Sequence, residues 1–251
     1  MSGVLCIVPL AGVGEVLPGE DLAALLAAAA PKGLGDEDVL VVAHKVVSKA
    51  EGRVRSLAAI EPGKEALEFA RDHAKDPRVV QAVLDETVRV VRSGHGVMIC
   101  ETRYGLVCAN AGVDRSNTSE ANTVLLLPED PDRSARKLRG GIEAARGVRP
   151  AVVISDSFGR PWRLGQTDVA LGAAGLIALD DWRGRRDGRG RELESTEIAV
   201  ADAVAAAADL ARSKDSREPA VLVQGLGHFV TDEHGPGAAA LRRRPEEDLF
   251  R

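Results

Sequence analysis

Aromatic side chains are scarce in this chain of 251 residues, which contains two Trp, one Tyr and four Phe. A hydrophobic core therefore has to be built from Ala, Val, Leu and Ile, which suits helices packed on strands of β-branched residues. The three cysteines, Cys6, Cys100 and Cys108, form no C-x-x-C pair, so no zinc site or disulfide framework is indicated. We interpret them as reduced thiols of a cytoplasmic protein.

Long apolar runs are also missing. No stretch approaches the ~18 uninterrupted apolar residues of a membrane span, and the N-terminus lacks the basic region of a signal peptide. Lys and Arg number 33 against 38 Asp and Glu, and the formal charge of −5 argues against a protein that coats nucleic acid. With 45% hydrophobic and 28% charged residues the composition is globular, and the length fits a single domain over 1–251.

Common catalytic and nucleotide-binding motifs are absent as well. There is no G-x-x-x-x-G-K-[ST], and the G-x-G pairs lack the third glycine of a dinucleotide fingerprint. H-E-x-x-H and G-x-S-x-G do not occur either. A standard P-loop or Rossmann protein, a zinc protease and a serine hydrolase are therefore disfavoured.

Short β-branched runs alternate with alanine-rich segments along the chain. The pattern predicts strands over 4–9, 39–42, 122–127, 151–155 and 220–223, a β-pair within 88–100, and helices over 21–30, 61–83, 132–146 and 196–211. We expect Gly140 and Gly141 to interrupt the third helix, 44–49 to be a polar segment into which the second strand runs, and 156–163 to form a loop. Because strands cluster in the middle of the chain, an α+β (mixed α/β) fold is expected rather than a doubly wound parallel sheet.

Two acidic segments each follow a predicted strand. One contains Asp114, and the other contains Asp156 followed by Ser157. Carboxylate and hydroxyl oxygens are ligands that Mg²⁺ and Mn²⁺ prefer, so both segments are candidate metal sites. The alternative is that each Asp is an ordinary turn or cap residue, and the residues alone leave this open.

Other positions suit anionic ligands. Lys49 can approach a phosphate as a point charge, and the glycine-rich segment 12–16 can present backbone amides to one. Arg160 and Arg163 follow the second acidic segment, and guanidinium groups bind carboxylate or phosphate with two parallel hydrogen bonds. A solvated lysine, a plain turn and a solvated arginine loop are the alternatives. The five histidines lack metal-ligand spacing.

Three segments together resemble the signature blocks of the coenzyme F420-0:gamma-glutamyl ligase family. They are VVAHKVVSK at 41–49, ANAGVDRSN at 109–117 and SDSFGRPWRLGQTD at 155–168. The resemblance runs in order over almost the whole chain. It implies a cytoplasmic amide ligase that consumes GTP, adds L-glutamate to the deazaflavin precursor F420-0 through an acyl phosphate, and releases GDP and phosphate.

The resemblance also implies roles for individual residues. Asp114 and Asp156 would be metal ligands, with Ser157 beside a second ion and Lys49 acting with the two carboxylates in catalysis. The implied cofactors are two divalent ions, Mg²⁺ or Mn²⁺, with K⁺ as a further candidate. The implied GTP contacts are Val13, Gly14, Glu15, Val16, His44, Lys49 and Asn117. From the charge of the substrates we assign Arg160 and Arg163 to the substrate anion.

The implied architecture is an intertwined homodimer with two intimate lobes, mainly antiparallel sheets and no C-terminal reductase domain. The chain differs from the family at His44, where Ser is usual, and at Lys214, near which some members place an acidic ligand of the second metal. The alternatives are a metal-dependent nucleotide phosphohydrolase, a diverged ligase acting on another carboxylate, and a non-catalytic nucleotide-binding module. Whether further gamma-linked glutamates are added stays open.

Overall fold

The computed structural model describes residues 4–115, 122–212 and 216–249. Its helices are α1 Leu22–Ala29, α2 His44–Ala50, α3 Lys64–His73, α4 Pro77–Asp85, α5 Pro131–Arg146 and α6 Val200–Ala211. Its strands are β1 Cys6–Pro9, β2 Val39–Ala43, β3 Val54–Ser56, β4 Thr87–Gly94, β5 Val97–Thr102, β6 Val107–Ala109, β7 Thr123–Leu125, β8 Ala151–Arg160, β9 Arg163–Ala174, β10 Leu179–Asp181, β11 Glu197–Ala199 and β12 Ala220–Gln224. Within these residues, no helix is long and apolar enough to cross a membrane.

A five-stranded sheet in the order β1-β12-β2-β8-β9 forms the centre of the molecule. Strands β1 and β2 each pair antiparallel with β12, and β2 pairs parallel with β8. Consequently β1, β2 and β8 run in the same direction, and their carboxyl ends lie at one edge of the sheet. Segments that follow such strands are a common place for ligand sites in mixed α/β folds.

Helices cover both faces of this sheet. Ile154 of β8 packs in a buried cluster with residues of α1 and α5, whereas its neighbour Val153 packs in a second cluster with residues of α6. Successive strand residues point to opposite faces, so the apolar runs of β2, β8 and β12 are continuous rather than alternating. This burial explains why those strands were predictable from their sequence.

Residues 54–125 add smaller sheets. Strands β4, β5 and β6 form an antiparallel meander, and β3 pairs antiparallel with β7. Helices α3 and α4 bury apolar side chains against them. The predicted β-pair is confirmed as the β4–β5 hairpin. The fold is mixed α/β with mostly antiparallel pairing, as expected.

Helix α5 is continuous, so the predicted interruption at Gly140 and Gly141 is wrong. A Cβ atom on Gly141 would lie 2.4 Å from the Cβ of Ala23. The glycine is therefore required for the close approach of α1 and α5. Its cost to helix propensity is offset by packing between the two helices.

Residues 44–49, expected as a polar segment after a strand, form α2, because the chain turns into a helix directly after Ala43. A further prediction about local structure is wrong. Residues 156–160 continue β8 and the chain returns in β9, where a loop was predicted over 156–163. The reason is the antiparallel partner: β9 supplies hydrogen bonds along this polar stretch, and such long-range pairing overrides local propensity.

Candidate functional site

The candidate site lies where the carboxyl ends of β1, β2 and β8 meet. Ala43, the last residue of β2, is directly opposite Ser155 of β8. The next residue of each strand is therefore placed at the same edge, His44 at the start of α2 and Asp156 in β8. Glu15, in the segment after β1, contacts Lys49 of the same helix.

His44 contacts Asp156. Its Nε2 atom lies 3.4 Å from Oδ1 of Asp156, and its Nδ1 atom lies 3.4 Å from the hydroxyl oxygen of Ser48 one helical turn away. The ring is buried, with only 1% of the residue exposed. A proton on Nε2 would be donated to the carboxylate, and Nδ1 would accept from Ser48. The position that the resemblance assigned to a nucleotide contact thus faces a candidate metal ligand.

Asp114 contacts the neighbouring residue of the same helix. Its Oδ2 atom lies 2.6 Å from Nζ of Lys45, and both side chains are partly exposed. The Asp114 backbone exchanges two hydrogen bonds with Leu125, at 2.9 and 2.8 Å. This bridge fixes its position beside β7. The first residues of α2 therefore hold one contact to each of the two predicted acidic positions.

Lys49 lies on the same helix and faces the segment after β1. Its Nζ atom is 3.7 Å from Oε1 of Glu15. Gly14 has a φ of +74°, which glycine adopts without strain. Val13 and Val16 bury their side chains in the core and leave only their backbone atoms to meet a ligand.

Ser157 points to the opposite face of the sheet from Asp156, as alternation in a strand requires. Its hydroxyl donates to Oδ1 of Asp168 at 2.7 Å, and the hydroxyl of Ser155 donates to Oδ2 of Asp168 at 2.8 Å. Nη2 of Arg212 lies 2.5 Å from the same Oδ2. The sequence pattern assigned no role to Asp168 or Arg212. A signal for Asp168 was the spacing of Ser155 and Ser157, because residues two apart in a strand point to the same face and can contact one shared acceptor.

The remaining predicted residues are not brought to this edge in the described part of the chain. Arg160 and Arg163 pair at the turn of the β8–β9 hairpin, where Nη2 of Arg160 donates to the carbonyl of Leu164 at 3.1 Å. Arg160 lies four positions beyond Asp156 along the strand, roughly 13 Å at about 3.3 Å per residue. Asn117 and Lys214 lie outside the described residues.

The pKa of the buried Cys108 thiol is affected by the charge of Asp156. Burial raises the pKa of Cys108 to about 12, and the carboxylate of Asp156 and the thiol of Cys100 add to the shift. Burial likewise raises the pKa of Cys100. Both groups therefore stay protonated at neutral pH, as neutral neighbours rather than thiolate ligands.

The donor atoms fit a hard divalent cation. Asp156 is partly exposed, and within the described residues no lysine or arginine pairs with it, whereas Asp114 has Lys45 as its counter-ion. No group of three or more His, Cys, Asp or Glu side chains arranged to hold a metal occurs in 4–115, 122–212 and 216–249. The protein would thus supply few ligands and leave the others to water and phosphate oxygens, which is usual for Mg²⁺.

Residues 12–225 match the family model described as F420-0:Gamma-glutamyl ligase. This chain belongs to that family. Its relatives named coenzyme F420:L-glutamate ligase include the protein of Methanopyrus kandleri, 48% identical over 239 residues and 94% of each chain. The protein of Methanothermobacter thermautotrophicus is 43% identical over 98% of this chain and 99% of its own. That of Haloarcula marismortui is 46% identical over 96% and 93%.

Membership of the F420-0:gamma-glutamyl ligase family makes this chain a ligase. The family match spans every segment of the candidate site, from the residues after β1 to the end of β12. Helix α2 joins these segments physically through His44, Lys45 and Lys49.

Proposed function

We propose that this chain uses GTP to join L-glutamate to F420-0 through an amide bond. The supporting observation is the convergence on α2, whose side chains contact the segment after β1, Asp114 and Asp156. A hydrolase would need only the acidic pair, whereas a ligase also needs room for a second substrate beside the phosphate. At this edge the side chains of Lys45, Asp114 and Asp156 are partly exposed and accessible to a ligand.

The reaction balances in two steps. A carboxylate oxygen of F420-0 attacks the γ-phosphorus of GTP, the bond to the bridging oxygen breaks, and GDP leaves with the electron pair. The amine of glutamate then attacks the acyl carbon of the resulting acyl phosphate. Phosphate leaves, and the amine gives up a proton as the amide forms.

The residues of the edge have defined tasks in this scheme. Lys49 reduces repulsion between the anionic nucleophile and the polyphosphate, and backbone amides of 13–16 hold the phosphates in line. Asp114 and Asp156 would hold divalent ions, with Ser157 near the second one. Bound ions would supply charge neutralisation at the phosphate oxygens.

We assign Arg160 and Arg163 to an anion site that a second copy of the chain completes. The hairpin turn beside them exposes Trp162 by 83% and Leu164 by 99%, which is unusual for large apolar residues and typical of an interface. In an intertwined homodimer the turn of one protomer would lie near the site of its partner. Light scattering should therefore give twice the chain mass, and Trp162→Ser with Leu164→Ser should give a monomer with less than a tenth of the activity. A monomeric wild type that is fully active would contradict this assignment.

The mass of the coenzyme tests the function directly. The protein is incubated with GTP, Mg²⁺ or Mn²⁺, L-glutamate and F420-0, and each component is omitted in turn. We expect the coenzyme to gain one or more glutamyl residues only in the complete mixture, with one GDP formed per residue added. GTP consumption that ignores glutamate and F420-0 would instead indicate a phosphohydrolase.

A further inference from the structure

Asp168 is the most tightly held carboxylate near the site, and no step of the proposed reaction uses it. It is 2% exposed and accepts two hydroxyl hydrogen bonds and one guanidinium hydrogen bond. A buried carboxylate is costly unless it is paired and fully hydrogen-bonded, and here both conditions are met.

Arg212 joins the carboxylate to the rest of the sheet edge. Its Nη2 atom also lies 3.3 Å from the hydroxyl oxygen of Ser155, and its Nη1 atom lies 3.4 Å from the carbonyl oxygen of Pro219. That carbonyl accepts a hydrogen bond from the amide of Ala43 at 2.8 Å. The ion pair therefore connects β8 and β9 to the last residue before α2.

The direction of the Ser157 hydrogen bond matters chemically. A hydroxyl has one proton, and Ser157 gives it to Asp168, so its oxygen can only accept from or coordinate anything else that it contacts. The amide of the same residue donates to Oδ1 of Asp156 at 2.8 Å. Ser157 is thus held from both sides, with its oxygen in the state that suits a cation.

We propose that Asp168, with Arg212 as its counter-ion, is a positioning residue that makes Ser157 an oxygen donor for a divalent cation. The inference rests on the proposed function in that the cation is the one that the ligase reaction would use. Asp168 itself lies on the other side of the serine and touches neither substrate nor cation.

Asp168→Asn reverses the hydrogen bond by a clear physical route. Arg212 has only donors, so the amide must turn its oxygen toward the guanidinium and its NH₂ group toward Ser157. The hydroxyl oxygen of Ser157 then accepts a hydrogen bond from the Asn amide, and its lone pairs are no longer reserved for a cation. Asp202→Asn is the matched control, because Asp202 accepts a hydrogen bond from the amide of Ala170 in β9 at 2.8 Å. Within the described residues, no hydrogen bond or ion pair joins its carboxylate to the site.

The first measurement is Mn²⁺ binding in the absence of nucleotide. The electron paramagnetic resonance signal of the free ion reports how much Mn²⁺ is unbound. Loss of an outer partner of a ligand typically costs about 10–100-fold in metal affinity or activity. We expect Asp168→Asn to weaken Mn²⁺ binding within that range and Asp202→Asn to change it less than about 2-fold. Equal affinities of the two variants, or a wild type that binds no Mn²⁺, would overturn the inference.

A double-mutant cycle shows whether Asp168 acts through Ser157. Combined with Ser157→Ala, the Asp168→Asn change should cost nothing further in Mn²⁺ affinity or in kcat, while the KM for glutamate stays constant. Additive losses would indicate a purely structural role and contradict the proposal. Because the binding cycle needs no turnover, a protein that fails to ligate glutamate would disprove the proposed function while the inference is still decided.

Arg212→Lys is the variant that least endangers folding. It keeps the positive charge but loses the guanidinium contact to Ser155, so the Asp168 carboxylate keeps a cationic partner that orients it less firmly. We expect a loss of Mn²⁺ affinity smaller than that of Asp168→Asn, with thermal unfolding close to wild type. An affinity equal to wild type would contradict the role given to the ion pair.

Discussion

Among the described residues, Asp132 and Asp168 are the least exposed carboxylates, at 2% each, and they are satisfied in opposite ways. Asp132, in the first turn of α5, accepts from the amides of Ala173, Ala238 and Ala239 at 2.8, 2.7 and 3.2 Å, and from the hydroxyl of Tyr104. Within the described residues, no basic side chain forms an ion pair with it. Asp168 is instead held by a guanidinium and two hydroxyls.

The difference separates a carboxylate that holds the fold together from one that serves a site. The four donors to Asp132 come from three separate parts of the chain, and three of them are main-chain amides whose position the fold requires. The donors to Asp168 are side chains gathered beside the candidate catalytic edge. Removing the first should affect stability most, whereas changes at the edge should affect activity.

The largest expected effect is on activity, at the site itself. Asp156→Asn should lower kcat by about 10³-fold or more, because the amide cannot neutralise a cation at the phosphate. Stability should be nearly unchanged, because the side chain is 20% exposed and its amide oxygen can still accept from His44 and from the amide of Ser157. The assay is the coenzyme mass measurement, with circular dichroism melting as the control. Wild-type turnover would remove Asp156 from the metal site.

The next largest effect is on stability, at Asp132. Asp132→Ala leaves three main-chain amides and one phenol without their acceptor, at about 1–3 kcal/mol for each buried group left unsatisfied. We expect the free energy of unfolding in urea to fall by about 3 kcal/mol or more. The fraction that remains folded should keep the turnover number of wild type. A lower kcat with an unchanged free energy of unfolding would contradict the assignment of Asp132 to stability rather than to the site.

The smallest effect is a spectroscopic one. Burial, the hydrogen bond to Asp132 and its charge raise the pKa of Tyr104, the single tyrosine of the chain. A raised folded pKa gives stability that is complete below the ordinary value of about 10 and is lost as the pH rises toward the folded value. Ultraviolet titration should therefore show no tyrosinate until alkaline unfolding. Asp132→Asn should bring ionisation to a lower pH, and an unchanged titration curve would contradict the contact.

Much of the fold was predictable because the buried strands are continuous apolar runs. Strands β2, β8 and β12 each contain four buried apolar residues in succession, and these runs begin directly after Asp38, Pro150 and Pro219. The polar extension of β8 was not predictable, because it depends on pairing with β9. The intact α5 depends on contact with α1, which local propensity does not register.

The candidate site shows the same division. The two acidic positions could be selected from the sequence because each follows an apolar strand and contains oxygen ligands. Their partners, His44 and Lys45, are consecutive residues of α2, and their roles depend on a helix that the sequence pattern did not predict. The network around Asp168 required the register of β8 against β9 and the end of α6, which only the folded chain supplies.

A crystal structure with Mn²⁺ and a non-hydrolysable GTP analogue tests the central claim most directly. We predict that the triphosphate lies between the 13–16 segment and Lys49, and that anomalous scattering places Mn²⁺ at coordination distance from Asp114 and Asp156. Lys45 should then have exchanged its contact with Asp114 for one with a phosphate. An analogue bound elsewhere, or a manganese peak remote from both carboxylates, would contradict the assignment of this sheet edge as the active site.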